Sequence, residues 1–282
     1  MLPSILHPIP MQTFHFISGL PRAGSTLLAA ILSQNPRFHA KMSSPVSQIV
    51  TQAFNAMGKE NEFAIFLTPE QRQAILTGIF TNYYQSIGTE VVFDTSRAWC
   101  SKLPLLKTLF PTAKVITCVR NLAWVMDSLE SIVRRNPLQA SGMFQNAGES
   151  ATVYTRTTVL GLGDRLVGYA YDALKEAYYS PEAELMLLVD YEALTQAPEQ
   201  VMRLVYQFIE QPYFDHDFDN LEYREEEFDT MMKTPGLHTV KRQVKYQSRA
   251  TLLPPDLFEK FNELSFWERD LNSQANRISK QN

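Results

Sequence analysis

The most constraining feature of this 282-residue sequence is a glycine-containing loop, Gly19–Thr26, between two apolar runs. The run before it, Phe14–Ser18, is short and β-prone, and the run after it, Leu27–Leu32, has the composition of a buried helix. The loop reads GLPRAGST. This G-x-x-x-x-G-x-[ST] spacing allows backbone N–H groups to surround a phosphate at a helix N-terminus. The sequence therefore predicts a strand, an anion-binding loop and a helix, with a plain tight turn as the alternative.

The loop lacks the lysine that nucleoside-triphosphate enzymes place before the last hydroxyl residue. Ser25 occupies that position, and Thr26 follows it. In such enzymes the lysine reaches the β and γ phosphates, and the neighbouring hydroxyl holds a magnesium ion. This loop instead contains Arg22, whose planar guanidinium binds oxyanions bidentately without a metal. A donor with one phosphate and one further anionic group suits the loop better than a triphosphate.

Further strand and helix patterns alternate along the chain. The predicted strands are Val91–Phe93, Val115–Val119 and Glu184–Val189. The predicted helices are Pro69 to about Ile87 with Thr68 as its cap, Ser101–Phe110, Leu122–Arg135, 151–179 with a break at Gly161 and Gly163, and Pro198–Ile209. Continuously apolar strands separated by helices are typical of a parallel sheet covered on both faces. We therefore expect one P-loop-type, three-layer α/β domain over residues 1–282, with a central, mainly parallel sheet.

Polar residues follow the strands at the points where the strands end. These residues are Arg22, Asp94, Arg120 and Tyr191. Because ligands of such sheets bind at the carboxyl ends of the strands, we expect the four side chains on one rim. Ser128 lies about two helical turns beyond Arg120, so both can reach one phosphate. The alternative is that Arg120 pairs with a carboxylate such as Asp127.

The charge distribution excludes some partners and marks one segment. The chain has 26 basic and 30 acidic residues, so no global basic field attracts nucleic acid or an anionic membrane. Residues 230–255, here called the basic segment, nevertheless contain no acid. Its basic residues are Lys233, Lys241, Arg242, Lys245 and Arg249. We expect this segment to cover a bound nucleotide, and a C-terminal helix to follow over about residues 255–272.

Cysteine content and apolar runs bear on localisation. Cys100 and Cys118 are too few for a disulfide framework or a four-cysteine zinc site, so we expect buried thiols in a reducing compartment. Met1–Met11 contains three prolines and no lysine or arginine, unlike a signal peptide. No run approaches the roughly 20 apolar residues of a membrane span. We therefore expect a cytoplasmic protein.

Three segments resemble motifs of the P-loop sulfotransferases, most closely those of the tyrosylprotein sulfotransferase branch. Phe16–Pro36 is similar to the 5'-phosphosulfate loop, Phe110–Ser128 to the 3'-phosphate motif, and Leu187–Glu199 to a tyrosine-bearing segment after a late strand. The resemblance implies transfer of a sulfuryl group from 3'-phosphoadenosine-5'-phosphosulfate (PAPS) to an acceptor hydroxyl or amine. The product would be 3'-phosphoadenosine-5'-phosphate (PAP), and no metal is expected.

The resemblance also implies roles for individual residues. The 5'-phosphosulfate would be held by Pro21, Arg22, Ala23, Gly24, Ser25 and Thr26. Arg120 and Ser128 would bind the 3'-phosphate, and Tyr191 would lie near the nucleotide. Lys241, Arg242 and Lys245 would belong to a loop that closes over it. Arg22 would also meet the negative charge that develops as the nucleotide leaves.

Departures from the family pattern concern catalysis. The tyrosylprotein enzymes carry a glutamate base after the first helix, where this chain has Ser43 or Ser44. A family lysine that stabilises the transferring group falls near Asp94, and Arg97 would replace it. We expect Asp94 to act as the base, with His39 as a second candidate. A structural carboxylate is the alternative for Asp94.

Two other functions stay open at this stage. A P-loop nucleoside or small-molecule kinase would share the sheet and the glycine loop, but the missing loop lysine disfavours it. A nucleotide-binding protein without catalysis is the other alternative, because the family glutamate is missing. No motif identifies the acceptor.

Overall fold

A parallel sheet forms the centre of the protein. The computed structural model describes residues 12–58, 61–223, 226–231, 233–269 and 272–279. The strands are β1 (Thr13–Gly19), β2 (Phe38–Ala40), β3 (Val91–Thr95), β4 (Val115–Val119), β5 (Met186–Asp190) and β6 (Asn276–Ile278). They pair in the order β2-β3-β1-β4-β5-β6, and each pair is parallel. This sheet and the helices around it confirm the expected α/β fold.

Helices follow most of the strands. They are α1 (Ser25–Leu32), α2 (Val46–Ala56), α3 (Pro69–Tyr83), α4 (Leu103–Leu109), α5 (Leu122–Arg135), α6 (Ala147–Ser150), α7 (Val153–Leu160), α8 (Gly168–Tyr178), α9 (Tyr191–Gln196), α10 (Pro198–Phe208), α11 (Glu226–Met231), α12 (Pro255–Asn262) and α13 (Phe266–Arg269). Short 3₁₀ helices cover Glu62–Phe66, Arg97–Lys102 and Ala183–Leu185. None of the helices in the described ranges combines the length and apolar character that a membrane crossing requires.

The core explains why the strand patterns are continuously apolar. Every residue of β3, β4 and β5 is buried. Phe14, Phe16, Phe80 and Phe110 form one aromatic cluster beside β1, with ring centroids 4.9 to 5.9 Å apart. Cys100 and Cys118 are free and buried, which confirms the expectation of buried thiols.

The predicted start of α3 and the predicted break between α7 and α8 are both present in the structure. Thr68 and Gln71 form the expected capping box of α3, but the helix ends at Tyr83 rather than near Ile87. The Gln12 side chain donates to the Ile87 carbonyl at 2.7 Å and holds the chain in a turn there. The predicted break within residues 151–179 is confirmed. Residues 161–167 separate α7 from α8, and a Cβ at Gly168 would overlap the Leu162 carbonyl oxygen.

Other elements differ from the sequence prediction. The continuous C-terminal helix over about 255–272 is wrong, because α12 ends at Asn262 and α13 begins at Phe266. Ser265 between them is fully buried, and its hydroxyl accepts a hydrogen bond from the Leu122 N–H at 3.4 Å. Residues 270 and 271 lie outside the described ranges. The edge strands β2 and β6 were not predicted, since a three-residue strand is too short to show a periodic pattern. The helix α2 was not predicted either.

The strand order places a cleft at one end of the sheet. The strands β2 and β3, which follow β1 in the chain, lie on one side of it, and β4, β5 and β6 lie on the other, so the order reverses at β1. Ligands of open α/β sheets bind outside the carboxyl ends of the strands at such a reversal. The glycine loop leaves β1 at this end.

Candidate functional site

A cleft of about 500 Å³ opens at the carboxyl ends of β1 and β3 and at the residues that follow β4 and β5. The glycine loop, the end of β3 and part of the basic segment line it. Of the residues expected to bind or act on the donor, those on the lining are Pro21, Arg22, Gly24, Ser25, Thr26, Arg97, Arg120, Ser128, Tyr191, Lys241 and Lys245. The lining does not include Ala23, Asp94 or Arg242.

Two glycines determine the path of the loop. Gly19 has φ +111°, and a Cβ there would overlap the carbonyl oxygen of Cys118 in β4. Gly24 has φ +100° and directly precedes α1, and a Cβ there would lie 3.0 Å from the Tyr191 ring. No side chain caps α1. The N–H groups of its first turn therefore remain available to an anion in the cleft.

Arg22 extends from the loop across the cleft. Its Nε donates to the Ser128 Oγ at 3.1 Å, and a terminal nitrogen donates to the Leu237 carbonyl. Burial lowers the pKa of the Arg22 guanidinium to about 10, so the side chain stays charged at neutral pH. Arg22 thus joins the loop, α5 and the basic segment.

Arg120 is held by two neighbours from the start of α9. Its Nε lies 3.0 Å from the Glu192 Oε1, and its guanidinium lies 4.2 Å from the centre of the Tyr191 ring. Both side chains of the ion pair are largely buried. Arg120 therefore pairs with a carboxylate, as the alternative expected, but the partner is Glu192 and not Asp127. Asp127 is fully buried and instead pairs with Arg249 of the basic segment.

Asp94 lies in the interior below the cleft. Its carboxylate is fully buried and accepts hydrogen bonds from the Ser44 Oγ at 2.5 Å, the Tyr84 hydroxyl at 2.6 Å and the Trp99 Nε1 at 2.8 Å. Burial raises the pKa of Asp94. Three donors thus occupy a carboxylate that is absent from the cleft lining. This environment is typical of a carboxylate that holds a strand end and its neighbours in place.

Arg97 reaches the cleft from the residues that follow β3. Arg97 is exposed and lines the cleft, and desolvation lowers the pKa of its guanidinium. Among the described residues, no carboxylate lies within ion-pair distance of Arg97. Ser43 also lines the cleft, whereas the Ser44 hydroxyl donates a hydrogen bond to Asp94. An uncompensated guanidinium in a cleft can bind an anionic group of a ligand.

His39 lies away from this lining. It is part of β2, is half-buried, and meets the Tyr84 ring at a centroid distance of 5.6 Å. Burial lowers its pKa. These contacts are those of a packed histidine.

The family follows from a match over most of the chain. A model described as "Sulfotransferase family" matches residues 15–215 of the 282. The chain belongs to the sulfotransferase family. A comparison with curated proteins found no match.

Solved structures of other sulfotransferases share the fold. The sulfotransferase domain of the Synechococcus PCC 7002 olefin synthase is 18% identical, with a TM-score of 0.50 over 96% of this chain and 99% of that one. The sulfotransferase domain from the curacin biosynthetic pathway is 15% identical, with a TM-score of 0.52 over 91% and 92%. Sulfotransferase STF9 from Mycobacterium avium is 13% identical, with a TM-score of 0.51 over 96% and 79%. Identities this low indicate a shared fold alone, and none of these matches singles out the tyrosylprotein branch.

The basic segment of this sulfotransferase forms one wall of the cleft. Lys241 and Lys245 line the cleft, whereas Arg242 is exposed outside the lining, and its carbonyl accepts a hydrogen bond from the Leu221 N–H at 2.7 Å. Between α11 and α12 the described residues of the segment form no helix or strand. Its path depends on contacts with other parts of the chain, such as the hydrogen bond from the Val244 N–H to the Phe218 carbonyl at 2.8 Å.

Sequence reasoning missed several residues of the cleft. Met143, Asp164 and Leu166 line it but belong to connections without a recognisable motif. Leu237 and His238 also line it. The change from an acidic to an acid-free stretch near residue 230 points to their segment, but not to these two residues. Nothing in the local pattern around residues 142–166 marks them as part of a site.

Proposed function

We propose that this sulfotransferase moves a sulfuryl group from PAPS to an acceptor hydroxyl or amine. One observation carries the proposal: the uncapped N-terminus of α1 and the uncompensated guanidinium of Arg97 border the same cleft. Membership of the sulfotransferase family supports it. The N–H groups at the start of α1 and the guanidinium of Arg97 both bind anions, so they suit a donor that carries a phosphate joined to a sulfate.

The glycine loop would hold the 5'-phosphosulfate. Ser25 and Thr26 are the first residues of α1, and both line the cleft. Arg22 and Arg97 supply positive charge where the bridging oxygen gains negative charge during an in-line transfer. The hydrogen bond from the Arg22 Nε to the Ser128 Oγ orients the guanidinium within the cleft.

The 3'-phosphate would bind to Arg120 and Ser128. Arg120 pairs with Glu192, so binding requires the guanidinium to share its donors between that carboxylate and the phosphate. Its stacking on Tyr191 keeps the guanidinium plane at the cleft. Lys241 and Lys245 would cover the nucleotide from the basic segment.

The base role predicted for Asp94 stays a prediction, and its buried position favours a structural role. We expect Asp94→Asn to lower folding stability, because a carboxylate that accepts from three donors would lose an acceptor. The pH–rate profile of the variant checks the role. We expect its acidic limb to match that of the wild type, and loss of the limb would assign the base to Asp94.

The finer assignments rest on the sequence resemblance. The likeness of Phe16–Pro36 to the tyrosylprotein branch concerns donor-binding residues, so it does not define the acceptor. Two unpaired cysteines favour a reducing compartment such as the cytoplasm.

The nucleotide that the protein binds, PAP or ATP with magnesium, separates the proposed function from that of a kinase. We expect PAP to raise the melting temperature of the protein, and ATP with magnesium to leave it nearly unchanged. Consumption of PAPS, followed with a ³⁵S label, then separates an active transferase from an inactive nucleotide-binding relative. Stabilisation by ATP with magnesium and not by PAP would overturn the proposal.

A further inference from the structure

A histidine–aspartate pair lies at the wall of the cleft. The His238 Nδ1 lies 2.6 Å from the Asp229 Oδ1, and the His238 backbone N–H donates to the Asp229 Oδ2 at 2.8 Å. Asp229 is buried, with 3% of its surface exposed, whereas His238 lines the cleft. One buried carboxylate thus orients both the backbone and the ring of His238.

These contacts determine which ring nitrogen is available. An ionised carboxylate only accepts hydrogen bonds, so Nδ1 of His238 donates to Asp229. In the neutral ring, Nε2 then carries the free lone pair. Among the described residues, no hydrogen bond or ion pair engages this Nε2. The structure therefore presents an oriented basic nitrogen at the cleft, which is the arrangement of a general base with its orienting group.

The pair lies beside the arginine of the glycine loop. Leu237, which precedes His238, accepts a hydrogen bond from the Arg22 guanidinium through its carbonyl. Phe228 also lines the cleft, and its ring meets the His238 ring at a centroid distance of 5.6 Å and an angle of 71°. The contact of Leu237 with Arg22 thus connects the histidine segment to the glycine loop, and the contact with Phe228 packs the His238 ring against an aromatic side chain.

We propose that His238, oriented by Asp229, is the general base that takes the proton from the acceptor. This inference rests on the proposed sulfuryl transfer from PAPS. Nε2 accepts the proton of the acceptor hydroxyl while the acceptor oxygen forms a bond to sulfur. The bond between sulfur and the bridging phosphate oxygen breaks, and its electron pair leaves on PAP. His238 afterwards releases the proton to solvent.

Asp164 is the competing group. It is the one carboxylate among the described residues that line the cleft. Its side chain is exposed, and no hydrogen bond from the described residues orients it. A catalytic base needs a fixed position within hydrogen-bond reach of the proton that it removes. His238 has such a position, and Asp164 does not.

The test uses water as the acceptor, because the natural acceptor is unidentified. Release of ³⁵S-sulfate from labelled PAPS gives turnover, and calorimetry with PAP gives nucleotide affinity. We expect His238→Ala to lose roughly 100-fold in turnover while PAP affinity changes less than about twofold. Added imidazole should restore at least about a tenth of wild-type turnover, because it replaces the missing base. A structural role for His238 would not produce this rescue.

The companion variants separate the base from its orienting group and from its competitor. Asp229→Asn should lose roughly 10-fold or more in turnover, because an amide can also hold the ring with the wrong nitrogen protonated. Asp164→Asn should lose much less turnover than His238→Ala. Wild-type turnover in His238→Ala, or a loss that imidazole does not restore, would overturn the inference. So would a loss confined to Asp164→Asn.

Failure of the proposed function would give a different result. The wild-type chain would then bind neither PAPS nor PAP, or would bind PAP without releasing sulfate from PAPS, before any residue is changed. A chain that binds PAP and consumes PAPS equally well with and without His238 would instead retain the function and lose only this base.

Discussion

The glycine loop and the basic segment border the same cleft but reach it by different means. The loop connects β1 directly to α1, and its path depends on two glycines that no other residue can replace without overlap or strain. The described part of the basic segment has no regular structure between α11 and α12, and it depends on contacts with remote residues such as Phe218 and Asp127. A local motif thus forms one wall, and tertiary contacts form the other. Changes in the loop should therefore affect folding and chemistry, and changes at the lysines of the segment should affect nucleotide binding.

Gly19→Ala should have the largest effect. A Cβ at this position overlaps the Cys118 carbonyl, and φ +111° is strained for an alanine. We expect the free energy of unfolding to fall by about 4 kcal/mol, measured by urea denaturation. Gly88→Ala is the matched control, because a Cβ there meets nothing within 4 Å. Equal stability of the two variants would show that the loop is not held by its contact with β4.

Arg22→Ala should lower turnover more than nucleotide affinity. A donor aimed at developing charge is worth about 3 kcal/mol in the barrier, so we expect roughly a 100-fold loss in PAPS consumption. Lys241→Ala in the basic segment is the comparison, and it should weaken PAP binding with a smaller change in turnover. Unchanged turnover in the Arg22 variant would count against its role at the leaving oxygen.

Arg120→Ala should affect only ligands that carry a 3'-phosphate. Loss of a charge-assisted contact costs about 2 kcal/mol, so we expect PAP affinity to fall roughly 30-fold. AMP lacks the 3'-phosphate, and its affinity should change little. Calorimetry with both nucleotides checks this result. A parallel loss for PAP and AMP would indicate that Arg120 shapes the cleft through Glu192 and Tyr191 instead.

Bound PAP should protect the basic segment from trypsin. Lys241 and Lys245 line the cleft in a stretch without helix or strand, so a ligand beneath them should reduce local opening. We expect cleavage at these lysines to slow about fivefold, which is about 1 kcal/mol. Cleavage at Arg203 on α10, which is exposed outside the cleft lining, is the internal control. Equal slowing at both places, or at neither, would contradict closure of the segment over the nucleotide.

Features that depend on neighbours in sequence were predictable. The bounds of β4 and α5 agree with the predicted runs Val115–Val119 and Leu122–Arg135, because continuous burial and helical periodicity are visible in the residues themselves. The capping box at Thr68 was visible for the same reason. The short strand β2 was not visible, since three residues carry no period and their pairing partner β3 lies about fifty residues away. The single C-terminal helix was wrong because the tertiary position of Ser265 separates two short helices.

The sequence alone determined the glycine loop, the alternation of strands and helices, and the rim on which Arg22 and Arg120 lie. Those features follow from glycine conformations, apolar runs and the common direction of parallel strands, all of which act over a few residues. The tertiary structure decided which partner each charged group has. It pairs Arg120 with Glu192, withdraws Asp94 into the interior and brings Asp229 to His238 at the cleft. Such pairings depend on distances and burial between separate segments, and no local pattern in the chain records them.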